Sequence, residues 1–306
     1  MINKTKKAFS LIEVIFVLVI LGIVASISSQ IIVQVYESYI TQRAVYNVNT
    51  KTELAINQIV NRLTYSVSGS AIAKDASDST HYKLLNDLDF LDVNDSKLTI
   101  LEWIGYDNDS FSAGDTPYWS GVADYTASTK DILETPASKL SKVDEIIKNL
   151  SNNKVGLKAF NNPAIIFAPR TVEGDEINAK CMGLVDNNTS CIHSVTWETD
   201  TSFDFNTTSS KLITERYLFT WSAYALVPID EAPIGDGLYN LYLYYNYQPW
   251  NNERYKDDGT KKLLLTNVSV FKFTENGGVI QLKLCATENI GADYNISSCK
   301  EKAIIK

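Results

Sequence analysis

The chain has 306 residues, 28 Lys and Arg against 36 Asp and Glu, a formal net charge of −8, two His and four Cys. Gripping nucleic acid through its phosphates needs a basic face, so the acidic balance and the lack of any basic run argue against direct nucleic-acid binding. Neither His81 nor His193 stands in a nucleophile elbow, a zinc-protease helix or a phosphate loop; the sequence reads as non-enzymatic, with no cofactor implied.

The first element is the N-terminus itself. Met1 to Ala8 carries three lysines and no acid, and from Phe9 to Val33 only Glu13 is charged. About 20 apolar residues at about 1.5 Å each cross a hydrocarbon core of about 30 Å, so this stretch is long enough to span a bilayer. The first basic residue beyond it is Arg43, so the positive-inside rule puts the leading lysines in the cytoplasm and the rest of the chain outside. An ordinary signal peptide cut near Ala25 or Ser28, or an uncleaved signal anchor, has the same plan, but neither gives Glu13 a purpose. A carboxylate near a bilayer centre costs about 2.5 to 3.5 kcal/mol on insertion scales, and by default it marks a functional site.

Lys6-Lys7-Ala8 followed by Phe9-Ser10-Leu11-Ile12-Glu13-Val14 resembles the class III signal of type IV pilins and type II secretion pseudopilins. The resemblance implies that prepilin peptidase cuts between Ala8 and Phe9 on the cytoplasmic side and methylates the new N-terminus at Phe9. Ala8 stands where the family usually has glycine. Glu13 becomes the fifth mature residue, and the mature chain holds 25 basic against 36 acidic residues, a balance of −11. Cleavage leaves an ammonium at an apolar helix end, which needs a partner to stay charged there. Glu13, four residues on, can reach its own N-terminus along one helix face. The family resemblance implies instead the N-terminus of a neighbouring subunit during assembly. It also implies as partners other pilin or pseudopilin subunits, an inner-membrane assembly platform and an exported substrate.

Beyond the span the helical period continues. Val45, Val48, Thr52, Ala55, Ile56, Ile59 and Leu63 recur at helical spacing, with Arg43, Asn47, Lys51, Asn57 and Asn61 between them. The expected organisation is a leader at 1–8, one helix at 9–67 with about 9–33 in the membrane, and a head at 68–306. Many major pilins carry a proline about where this chain has Gln30; its absence predicts a straighter helix and leans toward a minor subunit.

The head reads as β-rich with long loops. One amphipathic helix is predicted between Ser138 and Asn153, with Leu140, Val143, Ile146, Ile147 and Leu150 on one face. Strands are predicted at Ala164 to Ala168, Ser194 to Trp197, Leu212 to Val227, Leu238 to Tyr247, Leu263 to Thr274 and Val279 to Leu284. Asn276-Gly277 marks a hairpin between the last two. Leu264 to Phe273 also looks like the late sheet strands of larger minor pilins and pseudopilins. The Tyr-rich run from Tyr239 to Trp250 fits either cross-strand packing or an aromatic binding platform.

The four cysteines fall in two close pairs, Cys181 with Cys191 and Cys285 with Cys299, and two local disulfides are the simplest of the three connectivities. A zinc site lacks the tight spacing it needs. Asp107, Asp109 and Asp115 read as turn formers rather than calcium ligands, since the glycine and terminal glutamate of an EF-hand loop are missing. The expected fold is α+β and pilin-like. The expected function is a structural minor pilin or pseudopilin held in the bacterial inner membrane. A secreted enzyme or binding protein with an ordinary signal, or a membrane-anchored adhesin, are the alternatives.

Overall fold

A computed structural model describes residues 10–78, 80–89, 95–158, 161–167, 177–205, 213–230, 237–290 and 294–306. It opens with one helix, α1, over Leu11–Thr64, 54 residues and about 81 Å long. Ser10 caps its start by accepting from the Glu13 backbone N–H, and no proline interrupts it. At its end the side chain of Lys306 donates to the carbonyls of Leu63, Thr64 and Ser66, oxygens that the helix cannot satisfy itself. Burial pushes the Lys306 ammonium down to about 8, with Glu275 opposing that shift.

The head follows as β1 (Ile72–Asp75), β2 (Tyr82–Leu84), β3 (Leu98–Gly105), α2 (Asn108–Phe111), β4 (Ile132–Glu134), α3 (Leu140–Ser151), β5 (Ala164–Phe167), β6 (His193–Thr199) and β7 (Ser202–Phe205). It continues as β8 (Tyr217–Thr220), β9 (Ser222–Ile229), β10 (Tyr239–Tyr247), β11 (Thr260–Asn276), β12 (Val279–Asn289) and β13 (Asn295–Ile305). An eight-stranded sheet runs β13-β12-β11-β10-β9-β3-β1-β2, and a five-stranded sheet runs β4-β7-β6-β5-β8. Both are antiparallel throughout their recorded pairings. The architecture is therefore α+β and pilin-like: a long helix on a β-rich head.

The second half of α1 packs mainly on β13 and β12, and then on β11 and β3. Its buried stripe is Ala44, Val48, Thr52, Ala55, Ile56, Ile59 and Leu63. Val45, predicted on that stripe, is exposed, and Ala44 takes its place. The helix thus meets the sheet one residue earlier, through a small side chain that allows close approach. Thr52 is fully buried because its hydroxyl donates to the Val48 carbonyl at 2.7 Å. Glu53 bridges the helix to Lys300 and Lys302 of β13.

A second core lies on the opposite face of the large sheet, where Ile72, Ile100 and Ile104 meet Met182, Leu184 and Trp250. A third joins α3 to the small sheet through Leu140, Val143, Ile147, Phe203 and Phe219. Leu150, predicted on the buried face of α3, is 48% exposed, while Asp144 is buried. Asp144 is held inside because it accepts from the Leu157 backbone N–H at 2.7 Å and from Lys148 at 2.6 Å.

Two expected elements differ in detail. Leu212 lies outside the described residues, and the predicted strand ending at Val227 breaks at Trp221, with β8 entering the small sheet and β9 the large one. The β11–β12 hairpin turns on Gly277-Gly278 rather than on Asn276-Gly277. Both glycines have positive φ, 58° and 76°, as a two-residue type I′ turn requires, and Asn276 pairs with Val279.

Candidate functional site

The first half of α1 is the candidate site. Between Leu11 and Arg43 every side chain is exposed except the half-buried Ile40, so the head covers almost none of this apolar surface. The stretch is long and apolar enough to cross a membrane, and none of the membrane-length window is buried in the head. Glu13 sits in the first turn, where a negative charge suits the helix dipole. Ala8 and Phe9 lie outside the described residues.

In the head, Cys181 and Cys191 are bonded with Cα atoms 5.2 Å apart, and Cys285 and Cys299 with Cα atoms 4.0 Å apart. The second pair is directly cross-strand, since Cys285 of β12 and Cys299 of β13 share one register position. The first closes a loop whose Leu184 carbonyl accepts from Lys74 at 2.6 Å and whose Gly183 carbonyl accepts from Arg254 at 2.8 Å. Each bond closes a loop of 10 to 14 residues.

The remaining candidates resolve into structural roles. His81 faces Asp75 at 3.3 Å, and His193 packs against Phe167 and Phe205. Among the described residues no three of His, Cys, Asp and Glu form a group that would hold a metal ion. The Tyr-rich run is β10, and its rings go mostly into packing: Tyr244 is 8% exposed and edge-on to Tyr255, and Tyr242 lies under the Lys261 ammonium at 3.9 Å.

Asp107 is the one member of the aspartate loop that is deeply buried, and no local sequence signal marks it out from Asp109 and Asp115. It caps α2 by accepting from Ser110 N–H at 3.1 Å and takes a second hydrogen bond from the Trp221 indole at 3.3 Å, both on Oδ1. Oδ2 is buried without a hydrogen-bond partner among the described residues. Burial pushes this carboxyl up to about 6. The folded chain therefore keeps a proton here between about pH 4 and 6 that the unfolded chain has lost, and this group's contribution to stability falls as pH rises through that window. Asp107→Asn is expected to gain about 2 kcal/mol relative to wild type between pH 4.5 and 7, read from urea midpoints at the two pH values. Parallel pH profiles for the two proteins would refute a neutral Asp107.

Together, an uncovered apolar helix half with one acid in its first turn and a disulfide-linked β head point to the class of membrane-anchored proteins. The model of the prokaryotic N-terminal methylation motif matches residues 3–29. That motif, leading into a long apolar helix, is consistent with a type IV pilin or pseudopilin. The motif family is structural rather than enzymatic, and it implies contact with prepilin peptidase and with other pilin subunits in general. No curated protein and no solved structure matches the chain.

Proposed function

We propose that the chain is a minor pilin or pseudopilin, cleaved by prepilin peptidase between Ala8 and Phe9, methylated at Phe9, and assembled into a filament through α1. One observation carries this reading: the methylation motif at 3–29 overlaps the start of a helix whose first half buries almost nothing in its own head. Such a surface needs lipid before assembly and neighbouring helices after extraction. The head has a structural role here, contacting neighbouring subunits or an exported substrate, and lies on the periplasmic side of the inner membrane. The lack of a proline near Gln30 supports a minor subunit.

Intact-mass measurement and N-terminal sequencing, on membranes from cells with and without prepilin peptidase, test the reading. A mature chain starting at N-methylated Phe9 is expected only when the peptidase is present. A start after Ala25, or an intact Met1 in both strains, would overturn it.

A further inference from the structure

We propose that a cleft where the end of α1, the β3–α2 junction and β10 meet is a binding site for a small neutral saccharide. The cleft has a volume of about 320 Å³, at the lower end of the usual range for small-molecule pockets and enough for roughly one or two sugar rings. It is distinct from the assembly surface of α1, and nothing in the pilin reading requires it.

The first argument is the backbone. The pairing of β10 with β9 shifts register between Tyr244 and Tyr247, and Asn246 in that gap has φ 60°. This bulge takes Tyr245 and Asn246 out of register with β9, while Tyr245 stays paired with Thr260 of β11, and both residues stand on the cleft wall. Bulges commonly re-aim side chains beside functional sites. Asn246 is 6% exposed, its backbone N–H is held by Ser222 at 2.9 Å, and its side-chain carbonyl has no hydrogen-bond partner among the described residues. A buried unsatisfied carbonyl costs about 1 to 3 kcal/mol, and a donor from a ligand would offset it after a small side-chain adjustment.

The second argument is the chemistry of the walls. Tyr65 and Tyr106 stand edge to face at 5.6 Å, and Tyr224 is stacked on Trp103 at 5.6 Å, so the aromatic surfaces are held in place. Gly105 makes room for the Tyr224 ring, since a Cβ there would lie 2.6 Å from it. Arg62 and Asp109 both line the cleft, and neither has an ion-pair partner among the described residues. Asn61 and Asn108 add amide donors and acceptors. One cation, one anion and several amides leave the cleft without net charge, which favours neither an anion nor a cation. Sugar hydroxyls donate and accept at once, and their C–H faces suit tyrosine rings.

The test uses the full chain in a detergent without a sugar headgroup, with saturation-transfer NMR on lactose, maltose and diacetylchitobiose. At least one is expected to show transfer with a dissociation constant of about 1 mM, a binding free energy of about −4 kcal/mol. Asn61→Ala and Asp109→Asn, both at exposed positions where folding is expected to be kept, should each weaken it at least about fivefold. Tyr294→Ala, at an exposed aromatic outside the cleft, should leave it unchanged. No transfer from any of the three sugars, or transfer indifferent to both cleft substitutions, overturns the proposal. N-terminal processing at Phe9 would be unaffected by that failure, so the pilin reading is tested separately.

Discussion

Lys74→Met is expected to destabilise the head by about 3 to 5 kcal/mol, the largest loss from any single substitution considered for this chain. Lys74 of β1 and Glu102 of β3 form an ion pair at 2.5 Å with side chains 8% and 2% exposed. Glu102 also accepts from the Tyr247 hydroxyl at 2.8 Å, and burial together with the Glu102 charge drives the Tyr247 phenol well above its ordinary value. The Lys74 ammonium donates in turn to the Leu184 carbonyl, tying β1 to the Cys181–Cys191 loop. Removing the lysine strands a carboxylate out of water and leaves that carbonyl without its donor. If the stranded charge is the main cause, Lys74→Met combined with Glu102→Gln should recover most of the loss, because glutamine is neutral and still accepts from Tyr247. Denaturant unfolding of the full chain in micelles, followed by tryptophan fluorescence, measures both. A single-variant loss below about 1 kcal/mol would show that the pair is not what holds β1, β3 and β10 together.

The elements legible in the sequence are those whose burial is one-sided and periodic. Helix α1 could be read because its apolar span and its stripe from Val48 to Leu63 share one period, and β11 and β12 because glycines with positive φ separate two β-branched runs. The misses have physical causes. In β13 the positions facing α1 are partly polar, with Ser298 donating to Asn49 and Lys300 and Lys302 paired with Glu53, so no hydrophobic alternation betrays the strand. The β3 strand is buried on both faces and carries Glu102 in its middle, which breaks the apolar run. Strands β4 and β7 span three and four residues, too short for a period to show. Leu150 fits the helical pattern of α3 but stands on the rim of the cleft, and no local signal distinguishes a rim from a core. The N-terminal methylation motif was legible because its signal is local: lysines followed by an apolar run with one acid. The cleft was not, because its residues come from α1, β3, α2, α3, β9 and β10 and meet only in the folded chain.

Glu13→Leu is expected to leave cleavage and membrane insertion intact while reducing incorporation of the subunit into filaments at least about tenfold, equivalent to about 1.4 kcal/mol or more of lost pairing. Insertion should, if anything, improve. An acid inside an apolar span costs about 2.5 to 3.5 kcal/mol near the bilayer centre on insertion scales, less toward the interface, and leucine removes that cost. On the proposed cleavage before Phe9, the substitution takes away the proposed partner for the new ammonium. Two helices brought side by side in hydrocarbon would then bury an unpaired positive charge, and close charge pairs at protein interfaces couple by about 1.5 to 7 kcal/mol. The helix surface around Glu13 is uncovered by the head, so among the described residues no group of the head competes for the carboxylate. Glu13→Asp is expected to be intermediate, since it keeps the charge but shortens the reach. The measurement pairs N-terminal sequencing of membrane protein with quantification of the subunit in sheared filaments. Cleaved Glu13→Leu protein entering filaments at the wild-type level would remove charge pairing from the assembly mechanism and leave apolar packing of α1 to carry it alone.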